Sequence, residues 1–240
     1  MRQSIFMTVL IIVAFAVSYV IFQFMPDYIQ KGGPLVILLI MMSLIVVTYI
    51  IERLFALRAA RGKASLLSFL RDIKKFIDNE QIDEALAACD RQRGSCANVL
   101  RSGLEKYKAL KSSGRALEQK QTMEEIQRSI DEAMMLEVPL LEKNLVVLST
   151  VASIATLTGL LGTTIGMIRA FKALAKSGAP DAIALSLGIS EALINTAGGL
   201  ICAVMGIIAY NYFATRIDNF TYMIDEASYA MIQTLGLTKR

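Results

Sequence analysis

The sequence predicts an all-α integral membrane protein whose long transmembrane helices extend into a cytoplasmic helical bundle. Its composition is 55% hydrophobic with a mean hydropathy of +0.51, which is typical of membrane proteins. Two uncharged runs, residues 144–168 and 192–215, contain 25 and 24 residues. A bilayer-spanning helix needs about 20 apolar residues, so each run is long enough to cross. The charged middle of the chain carries apolar residues at helical spacing, which predicts the bundle.

A further uncharged stretch, residues 3–26, predicts an additional transmembrane helix at the N-terminus. A signal peptide has an apolar core of about 7–15 residues and a small-residue cleavage site. Here the core is longer and no Ala-x-Ala site follows, so we expect a retained helix. Residues 1–33 are therefore predicted to form this extra helix and a tight turn containing Gly32 and Gly33. Residues 34–53 are predicted to form the next transmembrane helix.

The basic residues are concentrated in the middle of the chain and predict its topology. Of the 25 Lys and Arg residues, 17 lie between residues 53 and 143, and basic residues beside membrane spans mark the cytoplasmic side. Residues 54–143 are thus predicted to be cytoplasmic, with four spans and both termini in the cytoplasm. Asp and Glu are interspersed with the basic residues there. We therefore expect a mixed-charge surface on this segment and no nucleic-acid binding. The uncharged segments are expected to contact the lipid membrane.

The cytoplasmic segment is predicted to be helical throughout. Arg93, Gly94 and Ser95 are expected to form a turn between two of its helices, and residues 111–114 another. Pro139 is placed to bend the chain where it enters the membrane. The predicted helices cover residues 66–77, 83–88, 97–110 and 116–136.

The two central uncharged runs predict an antiparallel pair of transmembrane helices. Thr163 and Thr196 should lie at similar depth in the two helices, five to six residues inside Arg169 and Glu191. Ser149, Ser153, Thr156 and Thr163 form one stripe along the first helix, and Asn195 lies beside Thr196 in the second. The predicted segments are a transmembrane helix over 144–172, a periplasmic loop over 173–181, a transmembrane helix over 182–216 and a cytoplasmic C-terminal helix over 217–240.

These polar residues leave two interpretations open. The hydroxyl and Gly residues either line an ion path or only allow close packing of membrane helices. Glu191, the carboxylate close to a span in this pair, either belongs to a path or forms an interfacial ion pair with Lys172 or Arg169. Because a hydroxyl does not titrate at physiological pH, a proton path here would need a carboxylate supplied by a partner.

Several classes of function are disfavoured. The chain contains no His, so a nucleophilic triad or dyad would lack its usual base and an enzyme is not expected. The Gly-rich stretch at 159–166 contains no Lys and lies in an apolar run, so it is not a phosphate-binding loop. Cys89, Cys96 and Cys202 are interpreted as structural residues, and neither a metal nor a cofactor is predicted.

The two central helices carry motifs in a specific order. Residues 158–168 read TGLLGTTIGMI, and residues 188–200 read GISEALINTAGGL. These stretches resemble the GLLGTVIGMI and GIAEALxxTAxGL signatures of the MotA/TolQ/ExbB proton-channel family. Residues 208–213, IAYNYF, match the end of the same helix in the family. Residues 83–110 are similar to the cytoplasmic helices of ExbB and TolQ.

The resemblance implies a pore-forming homo-oligomer, expected to be a pentamer, whose two motif helices line a central pore. The pore would enclose a dimeric one-span partner of the ExbD, TolR or MotB type that carries an intramembrane Asp. Residues expected at the pore by position are Thr163, Glu191 and Thr196, with Asn195 beside them and Thr156 added from the hydroxyl stripe. The implied activity is use of the proton motive force across the bacterial inner membrane, most like an ExbB role with a TonB-like protein. The alternatives are a TolQ, flagellar or gliding motor role, or a non-conducting scaffold.

Overall fold

The computed structural model describes residues 2–112, 119–175 and 181–237, with side chains described from residue 12 to residue 236 of these ranges. Within them every regular element is a helix, which agrees with the predicted all-α class. The helices are α1 Arg2–Phe24, α2 Asp27–Gln30, α3 Leu35–Arg61, α4 Leu66–Asp78, α5 Ile82–Gln92, α6 Ser95–Ser112, α7 Gln119–Glu142, α8 Leu145–Leu174 and α9 Ala182–Leu237.

The chain divides into two compact units. The apolar unit comprises Met1–Glu52 and Asn144–Tyr212, and the bundle unit comprises Arg53–Lys143 and Phe213–Arg240. Helices α3 and α9 therefore each contribute residues to both units.

Three stretches among the described residues are long and apolar enough to cross a membrane. They lie in Leu35–Asp78, Gln119–Leu174 and Ala182–Gly236. In α1 the described side chains cover the shorter apolar helix Ile12–Phe24. The fourth span, like the topology, stays a prediction.

The bundle unit is an ordinary helical core whose consecutive helices α4, α5, α6 and α7 pack against one another. Leu100, Leu104, Ile126 and Ile224 are fully buried in it. The predicted helix over 66–77 is confirmed as α4, and the predicted pair around residues 93–95 is confirmed as α5 and α6. Helix α6 ends at Ser112, inside the predicted turn at 111–114, and residues 113–118 lie outside the described part.

Gln92 ties the end of α5 to the segment between α3 and α4. It is 4% exposed, and its amide nitrogen donates to the carbonyl oxygens of Arg61 and Ala64 at 3.1 and 3.0 Å. Its amide oxygen accepts from the Ala64 N–H at 3.0 Å. One buried side chain thus satisfies three backbone groups of a non-helical segment, where unpaired groups would be costly.

The break between α7 and α8 lies at Asn144 and not at Pro139. Pro139 lies inside α7, which continues to Glu142. Asn144 has a φ of 66°, a left-handed conformation that Asn adopts more easily than most residues. A proline removes one helical hydrogen bond, but close to the helix end that loss is small enough for the helix to continue.

Two predicted connections differ from the structure in detail. The turn over residues 26–34 contains a one-turn helix, α2, because Pro26 fixes a backbone angle suited to the residue that precedes a helix. Helix α8 extends to Leu174, two residues into the predicted 173–181 loop, of which residues 176–180 lie outside the described part.

Candidate functional site

The central feature of the apolar unit is a pair of threonine hydroxyls, one from α8 and one from α9. The Thr196 hydroxyl donates to the Thr163 hydroxyl oxygen over 3.2 Å, which confirms the prediction that the two residues lie at similar depth. Both side chains are partly exposed in the single chain. We call Thr163 and Thr196 the hydroxyl pair.

The Thr196 hydroxyl is only loosely committed to any one acceptor. Besides Thr163, it has the carbonyl oxygens of Ala192 at 3.2 Å and Gly159 at 3.4 Å within reach. Hydroxyl hydrogen bonds normally have oxygen–oxygen distances of about 2.7–2.8 Å. The hydroxyl proton of Thr196 therefore has three acceptors at similar, long distances. The hydroxyl can rotate from one acceptor to another at little energetic cost.

Several hydroxyls of α8 are bonded within their own helix, and that of Thr163 is one of them, since it also donates to the Leu160 carbonyl oxygen at 2.8 Å. Thr156 donates to the Ala152 carbonyl oxygen at 3.2 Å, and Thr158 and Thr164 donate to carbonyl oxygens one turn back at 2.8 and 2.7 Å. Ser149 and Ser153 do the same at 3.0 Å. The structure therefore places Thr156 on the predicted stripe but does not bring it to the hydroxyl pair by any hydrogen bond among these.

Glu191 forms an ion pair with Arg169. A single guanidinium nitrogen, Nη1 of Arg169, lies 2.5 and 2.6 Å from the two carboxylate oxygens. The Glu191 side chain is 8% exposed, whereas that of Arg169 is 56% exposed. Of the two partners that the sequence left open, Lys172 and Arg169, the structure selects Arg169, and the carboxylate of the pair is buried within the chain.

The turn after α2 closes over this carboxylate. Gly33 has a φ of +73°, and a Cβ atom there would lie 2.9 Å from Oε1 of Glu191. A side chain at this position would have to adopt a conformation that L residues rarely take and would press on the carboxylate. The glycine therefore allows the backbone of the turn to approach the ion pair closely.

Asn195 joins the same turn to α9 from one helical turn further along. It is fully buried, and its amide nitrogen donates to the carbonyl oxygens of Gly32 at 2.8 Å and Glu191 at 2.9 Å. Its amide oxygen is buried without a hydrogen-bond partner, which is costly for a polar atom. We call Arg169, Glu191 and Asn195, together with Gly32 and Gly33, the turn clamp.

Helices α8 and α9 meet at very close range between the hydroxyl pair and the turn clamp. A Cβ atom on Gly162 would lie 2.2 Å from the Cβ atom of Asn195, and one on Gly166 would lie 2.6 Å from the backbone nitrogen of Ala192. Such close contact is possible only with glycine. At this crossing, consecutive residues meet: Asn195 fits over Gly162, and Thr196 bonds to Thr163.

The five residues that the sequence singled out are thus divided between different surroundings. Thr163 and Thr196 form the hydroxyl pair, Glu191 and Asn195 belong to the turn clamp, and Thr156 is bonded in its own helix. Sequence reasoning missed the contribution of Gly32 and Gly33. A Gly-Gly pair before a proline signals a turn, but nothing in the sequence shows which helix the turn packs against.

Comparison with known proteins places the chain in a family. The profile described as the MotA/TolQ/ExbB proton channel family matches residues 91–226, more than half of the chain and including both the hydroxyl pair and most of the turn clamp. The chain belongs to this family.

Individual relatives in the MotA/TolQ/ExbB family carry two different names. The Tol-Pal system protein TolQ of Pseudomonas aeruginosa is 29% identical over 193 residues, covering 78% of this chain and 82% of that protein. The biopolymer transport protein ExbB of Pseudomonas putida is 37% identical over 82 residues, covering 34% of this chain and 25% of that protein. The TolQ protein of Haemophilus influenzae is 42% identical over 93 residues, covering 38% and 40%.

Membership of this proton-channel family agrees with the apolar helices of the fold. The three long apolar stretches and the family assignment together identify a membrane protein. The hydroxyl pair lies within the matched residues, on the two helices whose sequences resemble the family signatures.

Proposed function

We propose that this protein is the stator-like proton-channel subunit of an energy-transducing complex of the ExbB–ExbD–TonB type. In this role it uses the proton motive force of the bacterial inner membrane to power import across the outer membrane. It moves protons and does not act as an enzyme. The single observation that carries the proposal is the hydrogen-bonded pair Thr163–Thr196 on the two signature helices.

The hydroxyl pair is suited to guide a proton but not to hold one. Thr196 has three acceptors at 3.2–3.4 Å, so its hydroxyl can reorient toward water or toward a carboxyl group. A hydroxyl does not change its charge at physiological pH, and a carboxyl group must therefore carry the proton. In the proposed mechanism that group is an intramembrane Asp on an ExbD- or TolR-like partner.

The proposed assembly is a homo-oligomer, a pentamer, around an axial pore that encloses a dimer of the one-span partner. A closed ring lets one kind of surface on each copy form identical contacts with its neighbours. Proton passage past the hydroxyl pair protonates the partner's Asp and changes its attachment to the ring. A TonB-like protein then delivers the work across the envelope.

The proposed topology follows from charge distribution. With 17 of 25 Lys and Arg residues between residues 53 and 143, the bundle segment lies in the cytoplasm. Four spans then place both termini in the cytoplasm and the α8–α9 connection in the periplasm. Thr156, Glu191 and Asn195 remain the other candidates for the pathway.

The test is the replacement of Thr163 or Thr196 by Val, which keeps the shape of the side chain and removes the hydroxyl. The loss of one hydrogen bond that leaves its partner unsatisfied costs about 1–3 kcal/mol, which corresponds to a step that is roughly 5-fold to 150-fold slower at about 1.4 kcal/mol per tenfold. We expect both variants to be expressed, to form the oligomer and to co-purify with the partner. Both should lose energy-dependent uptake in a whole-cell assay.

Thr158→Val and Thr164→Val are matched controls. Each variant removes one threonine hydroxyl from α8. In the structure these two hydroxyls donate to backbone carbonyl oxygens of α8, at 2.8 Å for Thr158 and 2.7 Å for Thr164. Thr158 is buried at 8% exposure and Thr164 is exposed, so they control for both environments. Full activity of Thr163→Val and Thr196→Val would leave only helix packing, or a non-conducting scaffold, as the role of these helices.

A TolQ-type role is the second candidate, because the TolQ alignment covers 82% of that relative. The two roles are separated by complementation. Expression in strains lacking either ExbB or TolQ, together with the cognate one-span partner, should restore outer-membrane import in the first strain under the main proposal. Restoration of only the Tol-dependent phenotype would assign the TolQ role instead.

A further inference from the structure

We propose that Arg169, Glu191 and Asn195 are positioning residues that clamp the Gly32–Gly33 turn onto α9 and so hold Thr196 against Thr163. Glu191 then acts as the partner that joins Arg169 of α8 to α9 beneath the turn. This inference rests on the proposed function, since it concerns what aligns the hydroxyl pair. It gives Glu191 and Asn195 a different role from the pathway role expected from the sequence.

The first support is the engagement of the carboxylate. Both oxygens of Glu191 lie within 2.6 Å of the Arg169 guanidinium nitrogen, and the side chain is 8% exposed. Because Arg169 belongs to α8 and Glu191 to α9, the ion pair joins the two helices directly.

The second support is the position of the turn clamp relative to the hydroxyl pair. Asn195 donates to the Gly32 carbonyl oxygen, 163 residues away in sequence, at 2.8 Å. Its own Cβ atom occupies the space that a Gly162 side chain would need. The next residue on α9, Thr196, bonds to the neighbour of Gly162, Thr163. Rotation or sliding of α9 would break both contacts together.

The third support is the fit of Gly33. Its backbone is left-handed, and only 2.9 Å would separate a Cβ atom at this position from Oε1 of Glu191, so the turn is shaped to the ion pair. The turn, the ion pair and the helix crossing therefore fix the rotation of α9.

The experiment compares Arg169→Gln, Glu191→Gln, the double variant R169Q/E191Q and the charge swap R169E/E191R, each co-expressed with the one-span partner. Energy-dependent uptake is measured in whole cells, and assembly is checked by native mass spectrometry. Each single change should reduce uptake about tenfold, because Arg169→Gln leaves the buried Glu191 charge without its partner and Glu191→Gln removes the contact that joins Arg169 to α9. The double Gln variant or the charge swap should restore at least half of the activity.

Restoration by either pair would be unexpected for a proton carrier, because the Gln pair has no titratable group at residue 191. The inference is overturned if Glu191→Gln and R169Q/E191Q are equally inactive while Arg169→Gln is close to wild type. Lys172→Gln is the control for losing a positive charge near the end of α8, and it should be silent.

Thr163→Val in the same assay separates the two proposals. If Thr163→Val is fully active, the proton pathway itself is wrong, whatever the clamp variants do. If Thr163→Val is inactive and neither paired variant restores activity, the pathway stands and the positioning role fails. Gly33→Ala gives an independent check that leaves all charges in place, and it should reduce uptake as Glu191→Gln does.

Discussion

Replacement of Gly162 by Ala tests how much the hydroxyl pair depends on the close contact of α8 and α9. The new methyl group would lie 2.2 Å from the Cβ atom of Asn195, 2.7 Å from its Cγ and 3.0 Å from its Nδ2. Non-bonded carbon atoms prefer separations of about 3.5–4.0 Å. The helices must therefore move apart by about 1.5 Å at this level to relieve the overlap.

That movement has a defined consequence for the neighbouring hydroxyls. The Thr196 and Thr163 oxygens are 3.2 Å apart, already near the long end of hydrogen bonding, so a similar separation would break their contact. Overpacking a tight contact costs about 1–3 kcal/mol. The higher helix propensity of Ala over Gly offsets about 1 kcal/mol of this. We therefore expect a modest loss of thermal stability and a tenfold or larger loss of uptake.

Gly198→Ala is the matched control. It makes the same Gly→Ala change in α9, but the nearest atom to its new methyl group is Cδ1 of Leu39 at 3.2 Å, the end of a flexible side chain. It should gain helix propensity and keep activity. The assay is energy-dependent uptake together with thermal stability of the detergent-purified complex. Wild-type uptake and stability in Gly162→Ala would refute the view that this contact sets the geometry of the hydroxyl pair.

Two further predictions concern the bundle unit. Burial raises the pKa of the Cys89 and Cys96 thiols to about 12, so both thiols stay protonated well above neutral pH. They should therefore react slowly with iodoacetamide at pH 8. Equal labelling of the native and the SDS-unfolded protein, measured by mass spectrometry, would contradict this prediction. Gln92→Ala removes three hydrogen bonds to the segment between α3 and α4 and should destabilise the protein by about 2–3 kcal/mol. Gln127→Ala, at an exposed residue bonded to a neighbouring side chain, should leave the thermal stability unchanged.

The sequence was sufficient to predict elements that depend on local pattern. The apolar period over residues 66–77 predicted α4, because an amphipathic helix records its buried face in its own sequence. The alignment of Thr163 with Thr196 was also predictable, because a short connection makes two helices antiparallel and depth can then be counted from it. The observed 3.2 Å contact confirms that count.

Contacts between distant segments could not be predicted in the same way. The choice of Arg169 over Lys172 as the partner of Glu191 depends on the rotation of α8, and both residues lie within one turn of each other. The bond from Asn195 to Gly32 joins residues 163 positions apart. No periodicity connects such positions, so the turn clamp became visible only in three dimensions.

The end of α7 could not be predicted from its proline. Proline is a strong signal, and the sequence therefore pointed to Pro139 as the site of a bend. The structure places the break at Asn144, with a φ of 66°, since a left-handed residue ends a helix more sharply than a proline close to its C-terminus.

The carboxylates of the α8–α9 pair explain why the proposed proton carrier must come from another chain. Between residues 144 and 212 the sequence contains two acidic residues, Asp181 and Glu191. Asp181 caps the start of α9, where its Oδ1 accepts from the Ala184 N–H at 3.0 Å, and such capping stabilises a helix by about 1 kcal/mol. Glu191 is held by Arg169. Both carboxylates thus have structural partners, and the hydroxyl pair offers hydrogen bonds without charge, so under the proposed function these helices orient a carboxyl group that the one-span partner brings.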